Sequence, residues 1–310
     1  MSPSRKIHFI AIEGSLLADL ATMLLRQGHA VSVSCDNIEG QAKDQLGKHQ
    51  LLPSSMGWHP EKIDASIQLA ILGPGAREDN PELLRAQSLG LPVQSFPAFI
   101  YAQCVDKQRI MACGGNEKAT LLALIAHVLS FFHRKFDYVM GTLPEGLESR
   151  ARLTDDAPII LIEGAEKNSS AVDPTPSFLN YQHHIAVITD IPQLGTRVEA
   201  EREIGRLADA SPKGGTIIYN KEVETLGKIA GKERPDVLPI GYGTHEHVTE
   251  NGVVYLVVPG KDRVPTQLSG KQNLQNISAA RELLKKIGIT NDQFYKALPS
   301  FKGVDESRGR

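Results

Sequence analysis

The chain has 310 residues, with 34 Lys and Arg against 36 Asp and Glu, a formal net charge of −2. That balance argues against a basic nucleic-acid-binding surface or an acidic tail, and three cysteines suit a reducing compartment rather than a disulfide framework. The length predicts about two domains, and no apolar run reaches the roughly 18 residues of a membrane span.

The opening MSPSRKIHFIAI enters a strand-like run without an apolar signal region, so the expected location is cytoplasmic. Residues 6–12 read as a strand. Residues 16–27 read as a helix with Leu17, Leu20, Ala21, Leu24 and Leu25 on one face, stopped by Gly28. Strands follow at 30–34 and 67–72, the second ended by Gly73-Pro74-Gly75. Asn80-Pro81 opens a helix through Ser88, and Leu91-Pro92-Val93 begins a short strand. The pattern restarts after Lys107-Gln108: strand 109–113, a glycine-containing turn at 114–118, and an apolar helix over 119–134. Strands at 158–162, 184–190 and 215–219 alternate with helices at 197–209 and 221–230. A β-rich stretch at 252–258 has no helix directly after it and suits an antiparallel flank; helices at 274–287 and 291–298 close the chain. This alternation predicts an α/β fold with mainly parallel sheets.

Two turns invite a test for phosphate chemistry. A dinucleotide turn needs glycines so that backbone N–H groups approach a pyrophosphate. The first turn reads Ala11-Ile12-Glu13-Gly14-Ser15-Leu16, and Glu13 puts a carboxylate where an anion would sit. A nicotinamide-dependent oxidoreductase is therefore a distant option. Asp36, after the second strand, is either an acceptor for a ribose or base or a solvated strand-end acid. The second turn, Gly114-Gly115-Asn116-Glu117-Lys118-Ala119-Thr120, has the strand–turn–helix context of a P-loop. Of the Gly-Lys-Ser/Thr triplet only Lys118 remains, with Thr120 one position late.

The order of these features resembles the Mur ligases, ATP-dependent enzymes that add amino acids or peptides to UDP-N-acetylmuramic acid. The likeness is greatest to their alanine-adding and murein-peptide-recycling branches. It is carried by KIHFIAIEGSLLADLATMLLRQGHAVSVSCD, GPGAREDNPELLRAQSLGLPV, MACGGNEKATLLALIAHVL, LIEGAEKNSS, SFLNYQHHIAVITDI, GKQNLQNISAA and FKGVDESRGR, which span essentially the whole chain. The resemblance implies a Rossmann-like UDP-muramyl-binding domain at 1–106, a P-loop-like central domain at 107–302 and a hinge remnant at 303–310, the family's third domain falling outside the chain. It implies ATP and Mg as cofactors. Lys118 and Glu163 become the catalytic candidates, with Glu163 the candidate Mg ligand. Gly114, Gly115, Asn116, Glu117, Lys118, Ala119, Thr120, Asn273 and Asn276 take the nucleotide-binding positions. Gly14, Ser15, Asp36, Arg77 and Asn80 take those facing the UDP ligand, and Glu82 lies on the same uridine-side turn.

The departures fall on the chemistry. Gly-Lys-Thr has become Glu117-Lys118-Ala119. E-A-D-E keeps Glu163 and Glu166 around Gly164-Ala165. T-N-x-x-x-D-H has become Thr189-Asp190-Ile191-Pro192-Gln193-Leu194-Gly195. The histidine of G-x-H-N-x-x-N is Gln272. The expectation is a protein of peptidoglycan synthesis or recycling with lost or weak ATP-dependent ligation, binding a UDP-N-acetylmuramyl ligand or a protein partner in wall synthesis. The alternative is an active ligase whose third domain lies outside this chain.

Other polar residues have plainer readings. His245 and His247 are expected in a solvated loop rather than a metal site. His183-His184 are read as an exposed strand entry, Cys113 as buried filler and Trp58 as a packing anchor. Lys118 is expected to hold a phosphate or to pair with Glu117 or Glu163.

Overall fold

The computed structural model describes residues 4–304, except 116, 166, 167, 171, 194, 233, 261 and 262. The chain divides into two compact units. The first comprises Met1–Val105, Glu148–Leu153 and Lys167–Tyr181; the second comprises Asp106–Leu147, Thr154–Glu166 and Gln182–Arg310. The first unit therefore takes in two stretches that a linear division at 106/107 assigns to the second domain. Polar contacts hold them. Asp19, buried on the first helix, accepts hydrogen bonds from the Arg150 backbone N–H (2.8 Å) and guanidinium (3.3 Å). The Asp173 carboxylate accepts from Asn180 (2.7 Å) and from the Ser95 hydroxyl (3.3 Å).

The first unit contains β1 (Lys6–Ile10), α1 (Gly14–Arg26), β2 (Ala30–Val33), α2 (Gly40–Lys48), β3 (Leu69–Leu72), α3 (Pro81–Ser88), β4 (Val93–Ser95) and α4 (Phe96–Ala102). The four strands are parallel in the order β2-β1-β3-β4. Leu17, Leu20, Ala21 and Leu24 of α1 are buried at the spacing of one helix face. Ile10, Leu72, Ile63 and Leu83 share a core against which Trp58 packs half-buried, so that residue is the expected anchor.

In the second unit, β5 (Gln108–Cys113), α5 (Lys118–Phe131), β6 (Asp137–Val139), β7 (Ile159–Glu163), β8 (Ile185–Ile188), α6 (Arg197–Asp209), β9 (Gly215–Asn220), α7 (Glu224–Ile229) and β10 (Val237–Tyr242) follow in turn. Its parallel strands stand in the order β10-β9-β8-β5-β7-β6. An antiparallel flank of β11 (His247–Glu250), β12 (Val253–Leu256) and β13 (Val264–Thr266) comes next, then α8 (Lys271–Lys286) and α9 (Asn291–Ala297). Helix α5 is apolar on nearly every side because it lies between the sheet and α8. Strand β10 contains Pro239 and Gly241, breakers that a sheet edge tolerates and a central strand does not.

Helix α6 opens with a reciprocal capping box: the Thr196 hydroxyl accepts from the Glu199 N–H, and the Glu199 carboxylate accepts from the Thr196 N–H. Thr196→Ala should cost about 1 kcal/mol and lower the melting temperature of this unit by roughly 2–4 °C. A calorimetric scan reads this directly, and an unchanged melting temperature refutes it.

Two histidine expectations are corrected. His183 is 1% exposed, not a solvent-facing strand entry. Its Nε2 lies 2.8 Å from the Ser211 hydroxyl, and burial, followed by the charges of His184 and Arg109, lowers its pKa to about 4. His245 is likewise buried rather than solvated: its Nδ1 lies 2.8 Å from the Glu246 carbonyl and its Nε2 2.7 Å from the Tyr295 hydroxyl. Both ring nitrogens are thus engaged, and no cluster of metal-ligating side chains forms among the described residues. Cys113 is fully buried, as expected of a core residue.

Candidate functional site

Both candidate phosphate turns lie at the C-terminal ends of parallel strands, where open α/β sheets place their ligands. In the first unit, the turn between β1 and α1 carries Ala11 (φ 57°) and Gly14 (φ 68°) in the left-handed region. The turn after β3 packs against it backbone to backbone. The Gly73 N–H donates to the Ile10 carbonyl (2.9 Å), and a Cβ at Gly73 would run into the Ala11 carbonyl oxygen, so only glycine fits there. Glu13, the residue before α1, caps nothing with its side chain. Its carboxylate lies against Gly75, with oxygens 2.9 and 3.1 Å from where a Cβ on that glycine would stand.

The other candidates of this unit separate by role. Ser15 is half-buried in the first turn of α1, and Asp36 is exposed beyond β2. Arg77 is exposed and paired with Asp79 through two hydrogen bonds of 3.0 and 3.2 Å. Asn80 is buried: its Oδ1 caps α3 by accepting from the N–H groups of Glu82 (2.9 Å) and Leu83 (3.1 Å). Its carbonyl oxygen is committed to the fold. Glu82 does not face the turn. At 1% exposure it ties together His8 (3.3 Å), the Ser34 hydroxyl and the His59 backbone N–H (2.7 Å).

In the second unit, Gly114 (φ 106°) follows β5, and a Cβ there would come 2.5 Å from the Asp190 carbonyl oxygen. Asn116 lies outside the described residues, as does Glu166. Glu117 precedes α5 and makes no side-chain cap. Instead its side chain turns back over the loop: one carboxylate oxygen lies directly against Gly115. The other accepts a hydrogen bond from Gln272 Nε2 (2.6 Å), and the Glu117 carbonyl accepts from Asn276 Nδ2 (3.3 Å). Glu117 thus bridges the loop to the N-terminal turns of α8. Lys118 and Ala119 begin α5, and Ala119 supplies a methyl where an Mg-binding hydroxyl would be needed. Thr120 lies one residue further along the same turn. Asn273 is spent locally, donating to the Ser269 carbonyl (2.8 Å).

Glu163 ends β7 half-buried, and one of its oxygens accepts from the Gly141 N–H (2.8 Å). A further carboxylate, Glu222, supports α8 from the end of β9. It accepts from the Thr244 N–H (2.5 Å) and from Gln275 (3.1 Å), and pairs with Lys271 (2.9 Å). The Thr244 backbone bond first, then Lys271, hold its pKa down to about 2. Burial first, then the charges of Asp190, Cys113, Glu117 and Glu222, push the Tyr242 hydroxyl well above its ordinary value, so it stays protonated. The carboxylates of Asp190, Glu117 and Glu222 therefore stand near the loop, with Lys271 paired to Glu222. Two features of this residue set work against an ATP–Mg complex: the Glu117 carboxylate lies over Gly115, and Ala119 lacks the hydroxyl that would hold Mg.

Sequence reasoning singled out Glu117 and Gln272 separately but not their contact. It missed Glu222, Tyr242 and the burial of Glu82. A Glu two residues after a strand carries no local signal of such a role.

No family model matches the chain. A UDP-N-acetylmuramate–L-alanine ligase of Persephonella marina is 24% identical over 311 residues, covering 97% of this chain and 66% of the relative. Its counterpart from Carboxydothermus hydrogenoformans is 26% identical over 322 residues, covering 96% and 65%. The chain thus spans a little under two thirds of these relatives' length. Among solved structures, the UDP-N-acetylmuramate:L-alanyl-gamma-D-glutamyl-meso-diaminopimelate ligase from Neisseria meningitides superposes with a TM-score of 0.85 at 21% identity, covering 98% of this chain and 100% of that one. The UDP-N-acetylmuramate-alanine ligase from Thermotoga maritima gives a TM-score of 0.71 at 18% identity, covering 96% and 69%.

Proposed function

We propose that the chain belongs to the Mur ligase family, as its likeness to UDP-N-acetylmuramate–L-alanine ligases supports, and that it is a cytoplasmic protein of peptidoglycan synthesis or recycling whose ATP-dependent ligation is lost or weak. Its remaining role is to bind a UDP-N-acetylmuramyl-type ligand or a protein partner in wall synthesis. Among the described residues no helix is long and apolar enough to cross a membrane. The observation that carries the reading is Glu117, whose carboxylate crosses Gly115 and is held by Gln272. Ligation by an acyl phosphate needs a seat for the transferring phosphoryl group and cations to neutralise it. Here an internal anion occupies the approach to that seat.

Calorimetry on the whole chain tests the proposal. Mg-ATP should give no binding heat up to about 1 mM, a level at which many ATP-using enzymes are half-saturated or better. Micromolar Mg-ATP binding overturns the reading. UDP-N-acetylmuramic acid, titrated separately, reports on the first unit.

A second reading is an active UDP-N-acetylmuramate–L-alanine or –peptide ligase completed by a third domain outside this chain. The presence of Lys118, Glu163 and Asn276 at the matching positions favours it. ADP release dependent on both UDP-N-acetylmuramic acid and an amino acid or peptide would establish it.

A further inference from the structure

The register of β1 and β2 sets His8 directly opposite Ser32. Side chains opposite one another in a parallel pair share a face, as do those two residues further along. His8, Ser32 and Ser34 therefore stand together on the side where α3 brings in Glu82. The Ser32 Oγ lies 2.8 Å from His8 Nδ1, and His8 Nε2 lies 3.3 Å from Glu82 Oε2. Exposure falls along this line: Ser32 is exposed, His8 is 5% exposed and Glu82 1%. The tautomer follows from the acid. Glu82 is held below its ordinary 4.5, so near neutral pH its carboxylate only accepts hydrogen bonds. Nε2 of His8 then carries the ring proton, and Nδ1 accepts the Ser32 hydroxyl. A hydroxyl on a base that a third group orients is the arrangement that activates a serine.

Strand β2 is an outer strand of its sheet. The N–H groups of Ala30 and Ser34 bond to β1, while Cys35 pairs outward with Gly57. The same alternation turns the Val33 N–H to the outer edge, and the N–H of the residue after a nucleophilic serine is a recurring oxyanion donor. We propose that Ser32, with His8 as its base and Glu82 positioning that base, hydrolyses carboxylic esters that reach the open edge of β2. The Ser32 Oγ attacks the carbonyl carbon as its proton passes to His8 Nδ1, and the carbonyl oxygen takes up the charge beside the Val33 N–H. The bond to the alcohol oxygen breaks, and Nδ1 returns the proton to that oxygen. Water, deprotonated by Nδ1, then attacks the acyl carbon, releasing the acid and restoring the Ser32 hydroxyl. Ester and water give acid and alcohol, with no further reactant. One backbone donor in place of the usual pair suits an ester, whose alkoxide leaves more readily than the amine of an amide. This activity is separate from binding a muramyl ligand and needs no nucleotide.

The test is labelling of the full chain with a fluorophosphonate, from which an activated serine oxygen displaces fluoride as a P–O bond forms and HF leaves. Mass spectrometry should find a single phosphonyl group, on the peptide that contains Ser32. Ser32→Ala, a change at an exposed position, should abolish labelling and the enzymatic hydrolysis of p-nitrophenyl acetate. His8→Gln should slow labelling roughly 100-fold or more, the scale of a lost general base. Glu82→Gln should lower kcat for p-nitrophenyl acetate and leave KM unchanged; an unchanged kcat in the folded variant overturns its positioning role. Thermal scans establish which variants are folded, and Ser32→Ala alone decides the rest. Ser55 is the internal control: its hydroxyl lies 2.9 Å from His59 Nε2, but that ring is backed by the exposed Glu61. No label, a label on Ser55, or equal labelling of wild type and Ser32→Ala overturns the proposal. Labelling needs no nucleotide, so its outcome and that of the Mg-ATP titration fail independently.

Discussion

Glu117→Gly combined with Ala119→Thr is expected to raise Mg-ATP affinity by about 100- to 1,000-fold. The estimate follows from the charge removed: two like charges 4 Å apart at an effective dielectric of 20 repel by about 4 kcal/mol, roughly a thousandfold in binding. Glu117 is half-buried and bonded to Gln272, so it does not simply swing away into water. Glycine removes the carboxylate from Gly115 and frees Gln272. Threonine restores a hydroxyl in the first turn of α5. The two sites are neighbours and should not add independently. Glu117→Gly alone should recover most of the gain, because electrostatic repulsion acts on every phosphate whereas the hydroxyl acts on Mg alone. Calorimetry with Mg-ATP reads the affinity, and a thermal scan checks that the variant folds. No gain in the folded double variant would shift the obstruction to the remaining acids around the loop, Asp190 and Glu222, and would remove Glu117 from its proposed role.

Much of the architecture was legible because its signals are local. The α/β class and parallel sheets follow from apolar runs alternating with amphipathic helices. The bounds of α6 coincide with the expected 197–209 because Thr196 and Glu199 mark its start within four residues. Local signals failed where tertiary context decides. Helix α2 has two glycines and only Ala42 and Leu46 buried, too thin a stripe to read. Strand β10 hides behind Pro239 and Gly241. His183 and His245 sit in polar runs, yet Ser211 and Tyr295, 28 and 50 residues away, receive them in the interior. The candidate site divides in the same way. Glu13 and Glu117 stood out as charges in glycine turns. The bond from Gln272 to Glu117 spans 155 residues and exists only once α8 packs on α5.

Glu82→Ala is expected to destabilise the first unit by about 3–5 kcal/mol, the scale for removing one member of a buried ionic or hydrogen-bonded group. Alanine would leave the His8 ring, the Ser34 hydroxyl and the His59 N–H without their shared acceptor in the interior. The loop carrying His59 would lose its tie to the sheet. Trp58, the chain's only tryptophan, lies beside that tie and packs on the same core. Its fluorescence therefore follows unfolding of this unit in urea. The pH dependence has a definite sign. Burial alone would raise the Glu82 pKa, but hydrogen bonds from His8, Ser34 and the His59 N–H outweigh it and hold the group below the ordinary 4.5. A depressed carboxyl contributes stability that is fully present above its unfolded pKa and is lost as pH falls through the folded value. The stability gap between wild type and Glu82→Gln, an uncharged side chain of the same shape, should therefore be full above about pH 4.5 and close below it. A gap that stays constant as the pH falls would show that Glu82 acts by shape alone. A gap that closes would show the charged carboxylate holding β1, β2 and the Trp58 loop together.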